Sequence, residues 1–185
     1  YKGINLTLAV REGIIKHTMV RDSSGELYNY SMNNYDNMNL DQPSFTLEGQ
    51  VVALSDEIAQ FTHDLEDGVR SHIITVDDIL QFDIIKDILL KRGIDAENYK
   101  SIYSDDPAYN LRTVIIHDYI SLLINEAICE SQPMIEKYFD RYKPKFSNNN
   151  DCINDTCILL PIDTGKKAKE LYSEVTKKVI FSDVI

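Results

Sequence analysis

Apolar residues recur along this chain at spacings of three and four, and the alternation expected of strands is nearly absent. The pattern predicts an all-α fold: a multi-helix bundle with long loops and little or no strand. A first helix is expected from about Leu6 to His17, capped by Asn5, with Leu6, Ala9, Val10, Gly13 and Ile14 along its apolar side. A long polar stretch, Thr18 to Thr46, follows as loop. A second helix runs from about Leu47 to His72, with Thr46 as a cap. Thr75 and Asp78 fit a capping box for a third helix. A fourth covers Asp83 to Lys91 and stops at Gly93.

A fifth helix is expected from Pro107 to Glu130 and a sixth from Pro133 to Tyr142. In the fifth, Val114, Ile115, Ile116, Ile120, Leu122, Leu123, Ile124 and Ile128 form an apolar surface too broad for one exposed side, which predicts a central position. Lys143 to Asp155 reads as loop, Cys157 to Ile162 as a short extended piece, and Gly165 to Ile180 as the last helix.

On a helical wheel, Leu47, Val51, Leu54, Ile58, Phe61 and Leu65 of the second helix form one stripe. Asp56, Gln60, His63, Asp64 and Asp67 cluster opposite. Stacked carboxylates repel unless a cation relieves them; a solvated polar face is the plainer reading. Gly49, Val52, Ala53 and Ala59 continue the polar side upstream, so that side is expected to be covered, and an ionised Asp56 there needs a cation or donors.

The composition narrows the function. With 30 acidic and 19 basic residues the net charge is −11, which disfavours a general nucleic-acid surface. No stretch is long and apolar enough for a membrane span. Three cysteines, Cys129, Cys152 and Cys157, and an opening segment unlike a signal peptide lead to the expectation of a reducing, cytoplasmic setting. Cys152 and Cys157 lack the further ligands of a zinc site and read as free thiols. The chain does not begin with Met, and is read as starting inside a longer or processed protein.

Two segments carry a resemblance. The run from Leu47-Glu48-Gly49-Gln50 through Asp56-Glu57-Ile58-Ala59-Gln60 to His63-Asp64-Leu65-Glu66-Asp67-Gly68 resembles a helix of the bacterial dGTPase-like proteins, deoxynucleoside triphosphate triphosphohydrolases of the HD-domain superfamily. Gly3-Ile4-Asn5-Leu6-Thr7 with Arg11-Glu12-Gly13-Ile14 is similar to the segment that precedes that helix in the same proteins. Together the segments cover about a sixth of the chain. The resemblance implies that residues 1–185 are a single helical region, the C-terminal part of a longer HD-domain phosphohydrolase. It implies metal-dependent cleavage of a dNTP to deoxynucleoside and tripolyphosphate, with Mg²⁺ or Mn²⁺ held by a His, a His-Asp doublet and a distant Asp. Asp56 matches the distant Asp; the other ligands would lie upstream, so the metal site on this chain is incomplete and the isolated chain is expected to be inactive. Gln60 stands where the family usually has a phosphate-contacting Tyr, and Asp64 matches an Asp that binds the deoxyribose 3′-hydroxyl.

Tyr109 and Arg112 are further candidates for the phosphates, against a plain surface pair. The literal pairs His63-Asp64 and His117-Asp118 are not the metal-binding doublet; the second reads as structural. His17 follows the matched segment without an assigned role. The implied partners are a deoxynucleoside triphosphate, the missing N-terminal part and further copies in a homo-oligomer. The alternatives are a catalytically reduced nucleotide sensor of the same fold, to which Gln60 points, and an acidic helical interaction domain.

Overall fold

Several helices begin here where a side chain can take over the backbone's unpaired groups. The computed structural model describes residues 6–17, 20–21, 27–28, 44–95, 97–103, 105–142 and 162–180. Among them are seven helices: α1 Leu8–Lys16, α2 Leu47–Arg70, α3 Val76–Ile79, α4 Asp83–Leu90, α5 Tyr99–Ile102, α6 Pro107–Tyr142 and α7 Ile162–Ile180. The fold is all-α, apart from a two-residue antiparallel pair, β1 Val20–Arg21 and β2 Leu27–Tyr28, inside the segment expected to be loop. No helix is long and apolar enough to cross a membrane among the described residues. Asn5, Cys152, Cys157 and the extended piece expected before Ile162 lie outside the described residues.

The caps follow the sequence closely. Thr75 accepts from the Asp78 amide at 3.2 Å and Asp78 Oδ2 accepts from the Thr75 amide at 2.9 Å, closing the capping box. Gly93 takes φ +67, left-handed as a helix stop requires, and the Ile94 amide returns to the Leu89 carbonyl at 3.0 Å. Thr46 Oγ1 accepts from the Gly49 amide at 3.1 Å and caps α2. At α1 the cap is Thr7, whose side chain accepts from Val10. The short α5 was not visible in the apolar pattern; Asp95 precedes it, with Oδ1 accepting from the Glu97 and Asn98 amides at 2.8 and 2.7 Å.

Two boundaries differ from expectation; α7 begins at Ile162, which was placed in the extended piece, and not at Gly165. Pro133 lies inside a continuous α6, where the sequence predicted two helices. A proline withdraws one amide and crowds the carbonyl four residues back, here that of the exposed Cys129. One lost bond on a solvent-facing side is small beside the bonds of a helix of 36 residues.

The chain divides into two compact units. The first comprises Tyr1–Glu57 with Cys129–Leu159, the second Ile58–Ile128 with Leu160–Ile185. In the second unit α2 buries Ile58, Phe61, Leu65 and Val69, α6 buries Leu111, Ile115, Tyr119, Leu123 and Ala127, and α7 buries Ala168, Leu171 and Val175. Phe61 meets Tyr172 at 4.7 Å between ring centroids, and α4 packs against α7. The broad apolar surface predicted for α6 is thus buried along one stripe of four-residue steps: Ile124 and Ile128 are exposed, and Ile116 and Ile120 half-buried.

Lys178 Nζ reaches Asp78 at 3.0 Å and ties α7 to the capping box. The Thr75 backbone amide, then Lys178, hold the Asp78 carboxyl down at about 2. A depressed carboxyl stabilises the fold fully above its unfolded value of 3.8, and that contribution is lost as pH falls toward about 2. Asp78→Ala is therefore expected to cost about 1 kcal/mol at neutral pH, with the deficit in melting temperature narrowing over that interval.

Candidate functional site

The two segments that carry the resemblance meet at a buried clasp in the first unit. Glu12 of α1 is 3% exposed. Its carboxylate accepts from Ser44 Oγ at 2.7 Å and from the Phe45 amide at 3.2 Å, just ahead of α2. Lys16, one turn on, pairs with it at 2.6 Å. Gln50 Nε2 donates to the Ser44 carbonyl at 2.7 Å. The expected apolar side of α1 is therefore not its buried side: Leu6, Val10 and Ile14 are exposed, while Glu12, Ile15 and Lys16 are inside. The reason is chemical. The backbone entering α2 needs an acceptor at this place, and a carboxylate with its own counter-ion supplies one.

Two glycines set the approach. A Cβ on Gly49 would lie 2.2 Å from Ser44 Oγ and 2.7 Å from Ser44 Cβ. A Cβ on Gly13 would meet only the Gly49 Cα, at an ordinary 3.5 Å. Gly49→Ala is expected to destabilise by about 1–3 kcal/mol through overpacking. Gly13→Ala is expected to be neutral or stabilising by up to about 1 kcal/mol, from helix propensity alone. Thermal melting of the two variants checks the contrast.

Asp56 lies in the same unit, on the exposed side of α2. Its neighbour on that side, Val52, one turn earlier, is 52% exposed. This corrects the expectation that the face is covered upstream: Gly49 is buried, by Ser44, but Val52 is open. The apolar stripe changes along the helix in the same way. Ile58, Phe61 and Leu65 are buried in the second unit, whereas Val51 is not buried in the first.

Gln60 and Asp64 follow Asp56 at successive turns and belong to the second unit; Gln60 is exposed and Asp64 half-buried. Tyr109 and Arg112 come together at the start of α6, with the guanidinium carbon 4.7 Å from the ring centroid. Asp106, at φ +46, accepts from the Tyr109 amide at 3.2 Å and caps this end. No hydrogen bond or ion pair joins Gln60 or Asp64 to Tyr109 or Arg112 among the described residues. His117 is exposed, and its neighbour Asp118 receives Arg92 Nη2 at 2.8 Å and Arg92 Nε. That guanidinium, first among the causes, holds the Asp118 carboxyl below its usual range. His17 caps α1, its Nδ1 2.5 Å from the Ile14 carbonyl.

Among the described residues no group of three His, Cys, Asp or Glu side chains is placed to hold a metal ion. Asp56 offers a single carboxylate, so these residues do not by themselves fit a divalent cation. Sequence reasoning passed over Ser44 and gave Glu12, Gly49 and Gln50 no role, although the last three lie in the matched segments; a Glu next to a Gly within an amphipathic helix was the available signal.

No family model matches the chain, and no solved structure does. Curated relatives do. A deoxyguanosinetriphosphate triphosphohydrolase-like protein of Rickettsia bellii (strain RML369-C) is 31% identical over 179 residues, 96% of this chain and 42% of the relative. A protein of the same name from Pelagibacter ubique (strain HTCC1062) is 32% identical over 128 residues, 67% of this chain and 32% of the relative. A third, from Rickettsia typhi (strain ATCC VR-144 / Wilmington), is 26% identical over 184 residues, 100% of this chain and 44% of the relative. These matches support a dGTPase-like family for the chain. The chain spans less than half the length of these relatives.

Proposed function

We propose that this chain is part of a protein that hydrolyses a dNTP, dGTP or a close analogue, to deoxynucleoside and tripolyphosphate. Water adds across the bond between the α-phosphorus and the 5′ oxygen: its oxygen goes to phosphorus and a proton to the departing deoxynucleoside. The observation that carries the reading is α2 itself. It bears the matched motif, and it presents Asp56 one turn from an uncovered valine, Val52. An exposed valine on the face of the carboxylate suits a surface that further protein closes over. In this reading residues upstream in the complete protein cover Val52 and bring the remaining His and His-Asp ligands of a Mg²⁺ or Mn²⁺ site to Asp56, as in an HD domain. Gln60 and Asp64 would contact phosphate and sugar, Tyr109 and Arg112 the phosphates, in a cytoplasmic homo-oligomer.

A second reading has one observation in its favour. Gln60 replaces a Tyr that the family usually has, and an amide is shorter and lacks the ring. A nucleotide sensor of the same fold would bind dNTPs without turnover. The test is an assay of the complete protein with each dNTP and Mg²⁺ or Mn²⁺, following tripolyphosphate release and, separately, nucleotide binding. Release supports hydrolysis, binding without release supports the sensor, and neither overturns both.

A further inference from the structure

We infer that Glu12 is a positioning residue for Asp56, and that the clasp around it governs turnover more than substrate affinity. The inference rests on the hydrolase reading above. Glu12 has the geometry of a fastener. It is buried, carries its own counter-ion in Lys16, and accepts from Ser44 and Phe45 where the chain turns into α2. Gln50 closes back on the Ser44 carbonyl, and a Cβ on Gly49 would collide with Ser44. The start of α2 is thereby held against α1 at the side chain of one residue. Asp56 lies six residues beyond Gln50, within two turns of helix, in the same compact unit. A helix with a fixed first turn transmits that constraint along its hydrogen-bonded length, so loosening at Ser44 reaches Asp56 before any other candidate side chain.

The unit boundary makes the inference specific. It falls between Glu57 and Ile58. Gln60 and Asp64, the proposed substrate contacts, have their helix anchored by Ile58, Phe61 and Leu65 in the second unit's core. Damage to the clasp should therefore displace Asp56 and spare them.

The experiment uses the complete protein, with Glu12→Gln as the main variant and Ser44→Ala as a milder one that leaves Glu12 and Lys16 paired. Amide hydrogen exchange over residues 44–57 and steady-state kinetics with dGTP are measured well below the melting temperature. Exchange in that segment should quicken about tenfold or more in Glu12→Gln, with kcat falling at least about tenfold and KM changing less than about twofold; Ser44→Ala should show the same pattern at smaller amplitude, and Ser44→Thr, which keeps the hydroxyl, should recover toward the parent. Faster exchange with unchanged kcat would reduce Glu12 to a structural role and overturn the inference while the hydrolase reading stands. A rise in KM at constant kcat would overturn it as well. If Glu12→Gln does not fold, the Ser44 pair decides by the same criteria. A parent protein that hydrolyses no dNTP removes the reading, and this inference with it.

Discussion

Glu12→Ala is expected to destabilise the protein by about 3–5 kcal/mol, the cost of breaking a buried ion pair by removing one partner. The side chains of Lys16 and Glu12 are 6% and 4% exposed, so water cannot replace the lost partner. The substitution also strips the acceptor from Ser44 Oγ and the Phe45 amide, and an unpaired buried donor costs roughly 1–3 kcal/mol. At about 2–4 °C per kcal/mol for a chain of this size, the melting temperature should fall by roughly 6–20 °C. A double variant identifies the cause. Glu12→Gln with Lys16→Met removes both charges but keeps a carbonyl oxygen for Ser44 and Phe45, so it should recover most of the loss. If the double variant is as unstable as Glu12→Ala, the loss of the Glu12–Lys16 charge pair is not the cause.

Asp56→Ala is expected to do the opposite: end activity and leave the fold alone. Asp56 is exposed, and surface substitutions away from caps and networks usually change stability by less than about 0.5 kcal/mol. In the proposed function it contacts the reacting centre directly. Groups one layer further out typically matter by about 10–100-fold, so a direct contact should cost more than about 100-fold in dNTP turnover. The measurement is kcat of the complete protein beside its melting curve. Near-parental turnover would take Asp56 out of the site; a large fall in melting temperature would mean that the side chain holds the fold instead. The two substitutions, Glu12→Ala and Asp56→Ala, thus separate stability from chemistry within one compact unit.

Local chemistry was read well from the sequence. The capping box of Thr75 and Asp78, the stop at Gly93 and the cap at Thr46 depend on residues five or fewer positions apart, and all three formed. Long-range burial was read less well. Val10 and Ile14 looked like the inner side of α1 because they are apolar, yet they face out. The α6 surface looked too broad for one exposed side, yet its fully buried apolar residues form the single stripe from Leu111 to Ala127. Pro133 looked like an end and is not, since the rest of α6 outweighs one missing bond. Of the candidate site, Asp56, Gln60 and Asp64 fall at successive turns of α2 as the wheel required, and Tyr109 stacks with Arg112. Val52, on the face of Asp56, is left open among the described residues.

The amino-acid order alone determined the helical class, the extent of α2, most of its caps and the motif it carries, because each depends on neighbours within a few turns. Only the tertiary structure decided which face of α1 is buried and that a carboxylate sits there. The acceptor of Glu12 and its donors at Ser44 and Phe45 are 32 and 33 residues apart in the chain. No local periodicity encodes a hydrogen bond closed over that distance.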